Sequence, residues 1–304
     1  MADYNLTAGI HTISIKTHDT VTETVGVSSY VSQNPQTNVT TVRINANKLS
    51  GFLVRYPDYL LALESILHRA GIHSYHLIRV DMCFDSFDAE HYQKYAKINR
   101  LLISMIAQAY HVQNKYRTTD LFTNNQLSVA IKNPNSFEVE NYDKAAESLG
   151  NDICQSRFEI RSLRMNNQDI EEEFVHHWDM RFDKAMGCFD ATLDRYNTEL
   201  LKRFYEEKRH GQKVKWATFF QKYENCIFTK GQAIDLLERM GVSRPEERYK
   251  YFKKKYGLLT YTDADVRYAI FEIQRARDVF FGGAEKRPIQ SDLERKIRPA
   301  NKVI

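Results

Sequence analysis

The chain has 304 residues, of which 42% are apolar, and a formal net charge of +4. This length and apolar content predict a globular protein with a packed core, organised as two domains or as one domain with a helical appendage. Apolar runs such as Leu101-Leu102-Ile103 are far shorter than the roughly 20 residues that a membrane span needs. The N-terminal residues also lack a charged-then-apolar signal, so we expect a cytoplasmic protein without a membrane partner.

The basic residues are unevenly distributed along the chain. Residues 201–304 contain 24 Lys and Arg against 14 Asp and Glu, a net charge of +10, whereas the first 200 residues contain the remaining 19 against 25, a net charge of −6. A basic end beside an acid-rich body suggests a polyanion-binding module attached to a site for a metal. A solvated basic helical surface is the alternative interpretation.

The spacing of the cysteines and the composition of the loops argue against a zinc site, a disulfide framework and an ATP-binding loop. Cys83, Cys154, Cys188 and Cys226 lie far apart and form no C-x-x-C pair, so neither a zinc site nor a disulfide framework is indicated. The sequence also lacks a Gly-rich phosphate loop with Lys-Ser or Lys-Thr, which argues against ATP hydrolysis.

The apolar spacing changes from strand-like to helical along the chain. Residues 9–45 read as strands, a helix is predicted from near Pro57 to Gly71, and a strand over 75–85 precedes a second helix over roughly 89–110. A hairpin about Asn133-Pro134-Asn135 and a strand over 156–164 complete the predicted sheet. Later helices are predicted over 171–186, 191–209, 229–240, 245–255 and 262–281.

These elements predict an α+β protein. We expect an antiparallel catalytic domain with packed helices over 1–165, an all-α DNA-binding region over 166–283 and a basic tail over 284–304.

Tyr142 is the candidate nucleophile. It ends the strand-like run Phe137-Glu138-Val139-Glu140-Asn141-Tyr142, and Lys144 follows it by two residues. Because alternate side chains of a strand share a face, Glu138, Glu140 and Tyr142 are expected to lie side by side. A packing or surface role is the default for one of 18 tyrosines.

Acidic residues on the neighbouring predicted strands are candidate metal ligands. Asp81 and Asp85 share a face but lie about 13 Å apart in a straight strand, so one of them, with Glu159 and Glu140, would form an oxygen-rich site for Mg²⁺ or Mn²⁺. Ion pairs with Arg79, Arg157 and Arg161 are the equally weighted alternative. His73 with His76, and His176 with His177, lack the His-hydrophobic-His spacing of one group of nicking enzymes.

The C-terminal region contains a candidate helix-turn-helix. A helix over 229–240, a turn at Gly241-Val242-Ser243 and a second helix from Pro245 give this order. The second helix interleaves basic residues with Tyr249, Tyr251 and Phe252. The basic candidates for DNA contact are Arg244, Arg248, Lys250, Lys253, Lys254 and Lys255.

Several of these segments together resemble the plasmid rolling-circle replication initiators of the staphylococcal type, the Rep_trans group, which includes relaxases of conjugative elements. Residues 42–49, Val-Arg-Ile-Asn-Ala-Asn-Lys-Leu, look like the family's strand followed by Asn-Pro-Asn-Lys-Leu. Residues 78–85 look like its Arg-Leu-Asp-x-x-x-Asp strand, residues 139–144 like its Ile-Tyr-Asn-Lys segment, and residues 157–161 like its Arg-x-Glu-Ile strand. Asn141 and Asp143 depart from the family's pattern.

The resemblance implies a site-specific DNA nicking-closing enzyme that starts rolling-circle replication at a plasmid or mobile-element origin. Tyr142 would form a 5′-phosphotyrosine and leave a 3′-hydroxyl primer, Lys144 would contact the phosphate, and Asp81, Asp85 and Glu159 would hold Mg²⁺ or Mn²⁺. Single- and double-stranded DNA, a host helicase and a second copy of the chain are the implied partners. A conjugative relaxase with the same chemistry and a non-catalytic DNA-binding regulator are the alternatives.

Overall fold

A computed structural model describes residues 6–22, 28–45, 55–112, 128–150, 153–165, 168–209 and 214–282. The strands are β1 (Thr7–Thr17), β2 (Ser28–Asn34), β3 (Val39–Asn45), β4 (His76–Ser86), β5 (Ser128–Asn133), β6 (Phe137–Asp143) and β7 (Ser156–Ser162). The helices are α1 (Tyr56–Arg69), α2 (His91–Ala109), α3 (Lys144–Glu147), α4 (Ile170–Glu172), α5 (Trp178–Met186), α6 (Phe189–Arg209), α7 (Trp216–Lys222), α8 (Lys230–Arg239), α9 (Pro245–Tyr256) and α10 (Asp263–Phe281).

This arrangement confirms the predicted α+β class, with an antiparallel sheet in the N-terminal half and helices after it. The predicted basic tail over 284–304 and most of the Asn-Ala-Asn-Lys-Leu segment over 45–49 lie outside the described residues. Within the described ranges, none of the helices combines the length and the apolar composition needed to cross a membrane.

The seven described strands form one sheet in the order β2-β3-β1-β4-β7-β6-β5. β4 and β7 lie near its centre and pair antiparallel over their whole shared length, from Val80 opposite Ser162 to Ser86 opposite Ser156. The order brings β4, β7 and β6 side by side, which is where the candidate site residues lie.

One face of the sheet is apolar and buried. Ile13, Val80, Met82, Val139 and Ile160 all lie on it and are at most 1% exposed. Burying a side chain of this size stabilises the fold by about 1.5–3 kcal/mol, so this face fixes the register of each strand and forces the alternate residues onto the opposite face.

Residues C-terminal to β7 complete the core behind this apolar face. The Trp178 ring packs edge-on against Phe137 of β6 at a centroid distance of 5.7 Å, and its indole nitrogen donates to the Ser162 hydroxyl at 3.1 Å. The same hydroxyl donates to the buried Glu173 carboxylate at 2.7 Å. Both contacts require Glu173 and Trp178 to reach one serine.

A π-helical turn satisfies this requirement. The sequence predicts one regular helix over 171–186, whereas the structure has α4, a π-helical segment at Glu173–His177 and then α5. The Trp178 amide bonds to the Glu173 carbonyl, a five-residue step. The wider turn changes the angle between residues 173 and 178 on the helix surface, which accounts for both reaching Ser162.

The described residues form two compact units. The first unit contains those of 1–91, 132–180 and 271–287, and the second contains those of 92–131 and 181–270. The grouping does not follow the order of the sequence, because residues 168–180 and the end of α10 belong to the first unit. The predicted division at residue 165 stays a prediction.

The second unit contains the helix, turn and helix that the sequence singles out. α8 begins with a capping box, in which the Thr229 hydroxyl accepts from the Gln232 amide at 3.0 Å. It ends before Gly241, whose φ of 74° is a left-handed conformation that favours glycine. Pro245 then occupies the first turn of α9, where its missing N–H costs nothing.

Candidate metal and nucleophile site

The polar face of the sheet gathers the candidate site residues of three adjacent strands. Directly opposite residues of paired strands share a face, and Tyr142 lies opposite Arg157, which in turn lies opposite Asp85. The register therefore confirms that Glu138, Glu140 and Tyr142 lie on one face. The side chains of β4, β6 and β7 on this face are Arg79, Asp81, Cys83, Asp85, Glu138, Glu140, Tyr142, Arg157, Glu159 and Arg161.

Tyr142 is a buried side chain in this polar surrounding, with 5% of its surface exposed. No described residue forms a hydrogen bond with its hydroxyl. Burial raises the pKa of the phenol above its ordinary value, the charge of Glu159 raises it further, and the charge of Arg157 opposes both. The phenol hydroxyl thus has no hydrogen-bond partner among the described residues. Because its pKa is raised, it needs added positive charge before it ionises near neutral pH.

Arg157 forms a two-point ion pair with Asp85. Its Nε and Nη2 donate to the two carboxylate oxygens at 2.6 and 2.8 Å, and only 4% of the arginine is exposed. Bidentate pairs of this kind fix the orientation of the guanidinium group. Asp85, a predicted metal ligand, is therefore engaged with an arginine in this structure.

Asp81 and Glu159, the other two predicted ligands, lie beside His11. One ligand atom from each of the three residues lies within 4.8 Å of the others, and the His11 Nδ1 is 2.8 Å from a Glu159 oxygen. Burial raises the pKa of Glu159 by itself, but the His11 hydrogen bond and the charge of Arg161 outweigh it and lower the pKa to about 2. Glu159 is therefore an anion at neutral pH.

A β-bulge brings His11 to this group. The register between β1 and β4 shifts between Ile10, which is opposite Met82, and Thr12, which is opposite Asp81. A bulge places an extra residue against one partner and redirects its side chain. His11 is not among the site residues that the sequence predicts; a histidine within a predicted strand of the same sheet as the acidic strand is the signal that points to it.

The acidic residues of this face also have arginine partners. Arg79 donates to both oxygens of Asp81, each at 2.7 Å, and Arg161 contacts Glu138, Glu140 and Glu159. On β4, β6 and β7 five carboxylates thus face three guanidinium groups, a formal charge of −2. Lys132 of β5 lies 3.6 Å from Glu138 and offsets one of these negative charges. The remaining negative charge lies at Glu140 and Glu159.

A divalent cation fits this donor set. Each carboxylate oxygen has a second lone pair after accepting one arginine or histidine hydrogen, and the local surplus of negative charge is compensated by a cation. Two carboxylates with one imidazole suit Mn²⁺ and other transition metals better than Mg²⁺, which prefers oxygen ligands.

Lys144 lies over the ring of the tyrosine. Its Nζ is 5.6 Å from the centroid of the Tyr142 ring and donates to Glu147 at 2.9 Å. Asp143, one departure from the family pattern, caps α3 by accepting from the Ala146 amide. Asn141, the other departure, lies on the apolar face and donates to the Arg157 carbonyl at 3.0 Å. Both departures have structural roles next to Tyr142.

In the second unit, α9 buries two of its aromatic residues and exposes its basic residues. Tyr249 and Phe252 are buried, at 4% and 0% exposure, and Phe252 packs against Phe220. Acidic residues occupy the first turn of α9 and Lys253, Lys254 and Lys255 the last. The predicted DNA-contacting residues Arg244, Arg248, Lys250, Lys253, Lys254 and Lys255 are all exposed.

The position of this charge bears on how α9 would meet DNA. The N-terminal residues of a recognition helix read the bases, but here that turn carries Glu246 and Glu247. The basic C-terminal turn is better suited to phosphate contacts than to base recognition.

The fold and the site together define an α+β protein with a polar sheet face that combines a tyrosine, ion-paired arginines and a His-Asp-Glu donor group. A solved structure to which the chain is similar is described as the structure of a rolling circle replication initiator protein from Geobacillus stearothermophilus; it is 11% identical, covers 56% of this chain and 78% of its own, and superposes with a TM-score of 0.28. No family model and no curated protein matches the chain.

Proposed function

We propose that this protein is a metal-dependent, site-specific DNA nicking-closing enzyme that acts through Tyr142 and starts rolling-circle replication of a plasmid or mobile element. The observation that carries the proposal is one sheet face on which Tyr142 is followed across β7 by Arg157 and Asp85 and, diagonally, by the His11, Asp81 and Glu159 group. The motif resemblance of β4, β6 and β7 supports the same function.

The proposed reaction exchanges one phosphoester for another. The Tyr142 phenol loses its proton to solvent, its oxygen forms a bond to the scissile phosphorus, and the bond from phosphorus to the 3′ oxygen breaks. The 3′ oxygen takes up a proton and becomes the primer end. Because a phosphotyrosine link preserves the ester, the same 3′-hydroxyl can later attack it and rejoin the strand without ATP.

His11, Asp81 and Glu159 would hold the divalent cation. When bound, such a cation supplies Lewis-acid polarisation of the phosphate and partial neutralisation of the charge that develops on it. We propose Mn²⁺ as the better ligand match because of the imidazole. The predicted ligand Asp85 is assigned instead to Arg157, with which it is paired, and Lys144 is proposed to bind the phosphate.

A non-catalytic DNA-binding regulator is the second candidate function. The observation that favours it is the arginine pairing of Asp81, Asp85 and Glu159, since ion pairs alone would account for buried acids on a sheet. Such a protein would bind DNA through the exposed basic residues of α9 without forming a covalent intermediate.

A covalent-adduct assay separates the two functions. The protein is incubated with Mn²⁺ or Mg²⁺ and the DNA that flanks its own gene, offered as supercoiled plasmid and as tiled single-stranded oligonucleotides. We expect nicked circles with protein attached to the 5′ end, and tryptic mass spectrometry should identify the DNA-bearing residue as Tyr142.

Tyr142→Phe is the decisive variant because it removes the attacking oxygen and little else. It should abolish both nicking and the adduct while leaving DNA binding unchanged. Tyr205→Phe, a change of the same size at an exposed tyrosine of α6, serves as the matched control and should nick like the wild type. Normal nicking by Tyr142→Phe would sink the proposed function, and DNA binding without any nick would favour the regulator.

A further inference from the structure

We infer that Arg157 is a further catalytic residue, whose Nη1 stabilises negative charge on the Tyr142 oxygen when that oxygen attacks the phosphate and again when it leaves. The inference rests on the proposed function for its chemistry and on two geometric observations for its assignment. These are the cross-strand pairing of the two residues and a buried nitrogen at the end of the arginine that has no hydrogen-bond partner within the described part of the chain.

The pairing places the two side chains together. Tyr142 of β6 and Arg157 of β7 are directly opposite each other in the antiparallel ladder. Residues in such positions have Cβ atoms about 4.5–5.5 Å apart and project from the same face. The phenol and the guanidinium group therefore extend from neighbouring positions on the same face of the sheet.

The arginine is held so that one nitrogen has no described partner. Nε and Nη2 are both engaged by Asp85, whereas Nη1 is buried and has no hydrogen-bond partner among the described residues. An unsatisfied buried donor is costly, about 1–3 kcal/mol, and such groups in folded proteins call for an explanation. An oxyanion that appears only during the reaction provides one.

Other charged groups near Tyr142 do not supply this role. Glu159, Glu147 and Glu140 all disfavour the phenolate. Lys144 approaches the ring face, 5.6 Å from its centroid, and its ammonium group is bound to Glu147. Arg157 lies directly opposite Tyr142 on the neighbouring strand, and its charge favours the phenolate, so it is the residue assigned to this role. Asp85 acts as a positioning residue through its two bonds to the guanidinium group.

Arg157 contacts the charged Tyr142 oxygen in both directions of the reaction. In nicking, the Tyr142 oxygen gives its proton to solvent and forms its bond to phosphorus while Nη1 donates a hydrogen bond to it, and the bond from phosphorus to the 3′ oxygen breaks as that oxygen takes up a proton. In closing, the 3′-hydroxyl gives up its proton and attacks the phosphorus, the bond from phosphorus to the Tyr142 oxygen breaks, and the electron pair returns to the oxygen beside Nη1.

The test measures the ionisation of residue 142 directly, so that it does not depend on nicking. A difluorotyrosine is incorporated at position 142, and its ¹⁹F resonance is followed against pH without added metal in the full-length protein. The pKa of this phenol should be higher by about 1 or more in Arg157→Met than with Arg157 present, because an opposite charge at this range lowers such a pKa by 1–3. Arg277→Met, which breaks another buried Arg-Asp pair of the same unit, should leave it unchanged.

Adduct formation provides the catalytic readout. Arg157→Met should lower the rate by about 10²-fold, the usual effect of removing one oxyanion donor, and the more acidic difluorotyrosine should restore part of that loss. A loss that the difluorotyrosine does not reduce, together with an unchanged ¹⁹F titration, overturns the assignment. If even the wild type forms no adduct, the proposed function fails, and the ¹⁹F titration still decides the role of Arg157.

Removing Arg157 alone leaves the Asp85 carboxylate without its partner. Should Arg157→Met fail to fold, the double variant Arg157→Met with Asp85→Asn removes both charges and is measured in its place. The same two outcomes apply to it: a raised pKa at residue 142 supports the assignment, and an unaltered one overturns it.

Discussion

His11 is the accessible member of the donor group. Its side chain is 28% exposed, against 1% for Asp81 and 0% for Glu159. It can therefore exchange its bond to Glu159 for a bond to an arriving cation without unpacking the sheet. The two buried carboxylates already lie in place on adjacent strands, so His11 is the residue through which binding is best tested.

We predict that His11→Asn weakens Mn²⁺ binding by at least about tenfold, since losing a donor or its support typically costs 10–100-fold. Isothermal titration with Mn²⁺ measures the change, and Asp85→Asn is the matched comparison. Asp85→Asn should bind Mn²⁺ nearly as the wild type does. If Asp85→Asn weakens Mn²⁺ binding and His11→Asn does not, then Asp85 is a metal ligand and His11 is not.

Lys97 is a buried cation outside the candidate site. It lies on α2 with 9% exposure, and its Nζ donates to the Leu259 carbonyl at 2.5 Å. Burial lowers its pKa to about 7, against the opposing charges of Glu224 and Cys226 and with a small contribution from Arg100. Folding therefore favours the neutral amine.

The consequence is a pH-dependent stability with a defined sign. Between about pH 7 and pH 10.4, the ordinary value for lysine, the unfolded chain holds a proton on Lys97 that the folded chain lacks. The free energy of unfolding must then rise with pH across this window. Below the window, the fold lacks the whole of this contribution. Lys97→Met should reduce this slope by up to about 1.4 kcal/mol per pH unit.

Urea unfolding at several pH values between 7.5 and 10 measures this slope. Lys202→Met, at an exposed lysine of the same unit, controls for the loss of a charge and should keep the slope of the wild type. Equal slopes in Lys97→Met and the wild type would mean that Lys97 stays protonated in the folded state.

The residues of the polar face differ in how far the sequence predicts them. Alternation in β6 is enough to group Glu138, Glu140 and Tyr142, because a strand has only two faces. The register of β4 against β7, which pairs Asp85 with Arg157, depends on the apolar face of the whole sheet and cannot be deduced from spacing. His11 depends on a bulge, which interrupts the alternation from which faces are deduced.

At the scale of elements, α9 combines two charge distributions on one helix. Its first turn is acidic and its last turn contains three consecutive lysines, which is the order that the helix dipole favours. The dipole alone accounts for this order in a surface helix. Contact with DNA phosphates is a second role that we propose for these lysines.

We predict that changing Lys253, Lys254 and Lys255 together to Ala weakens DNA binding. The slope of log affinity against log salt should become shallower by about 0.9 for each phosphate of duplex DNA that the variant no longer neutralises. Fluorescence anisotropy over a salt series measures it. A control variant with Lys202, Lys208 and Arg209 changed to Ala removes the same charge from α6, and equal slopes for both triple variants would exclude a specific role of α9.

Regular elements were the easiest to predict, because their boundaries carry local signals. Pro57 and Gly71 frame α1, and Gly241 with Pro245 separates α8 from α9. The π-helical segment at Glu173–His177 has no such signal, since its cause is a serine on β7 that two side chains share. Helix α7 was likewise not predicted.

For the whole molecule, the two compact units make the proposed boundary at residue 165 testable. The first unit draws on residues far beyond that point: Trp178 covers Phe137, and Phe281 packs edge-on against Tyr56 of α1 at 4.6 Å. Fully burying a large apolar side chain, as Trp178 is buried here, stabilises the fold by about 1.5–3 kcal/mol. A small domain has a total stability of only about 5–15 kcal/mol, so losing several of them removes most of it.

We therefore expect a fragment of residues 1–165 to lack a cooperative unfolding transition, because it loses the packing of Trp178 on Phe137 and of Phe281 on Tyr56. Circular dichroism melting and the dispersion of amide resonances in a ¹H-¹⁵N spectrum measure this. A fragment of residues 1–282 retains Trp178 and Phe281 and should unfold cooperatively like the full chain. A folded 1–165 fragment that still forms the Tyr142 adduct would instead establish the sheet as an autonomous catalytic domain, with the later helices needed only for DNA binding.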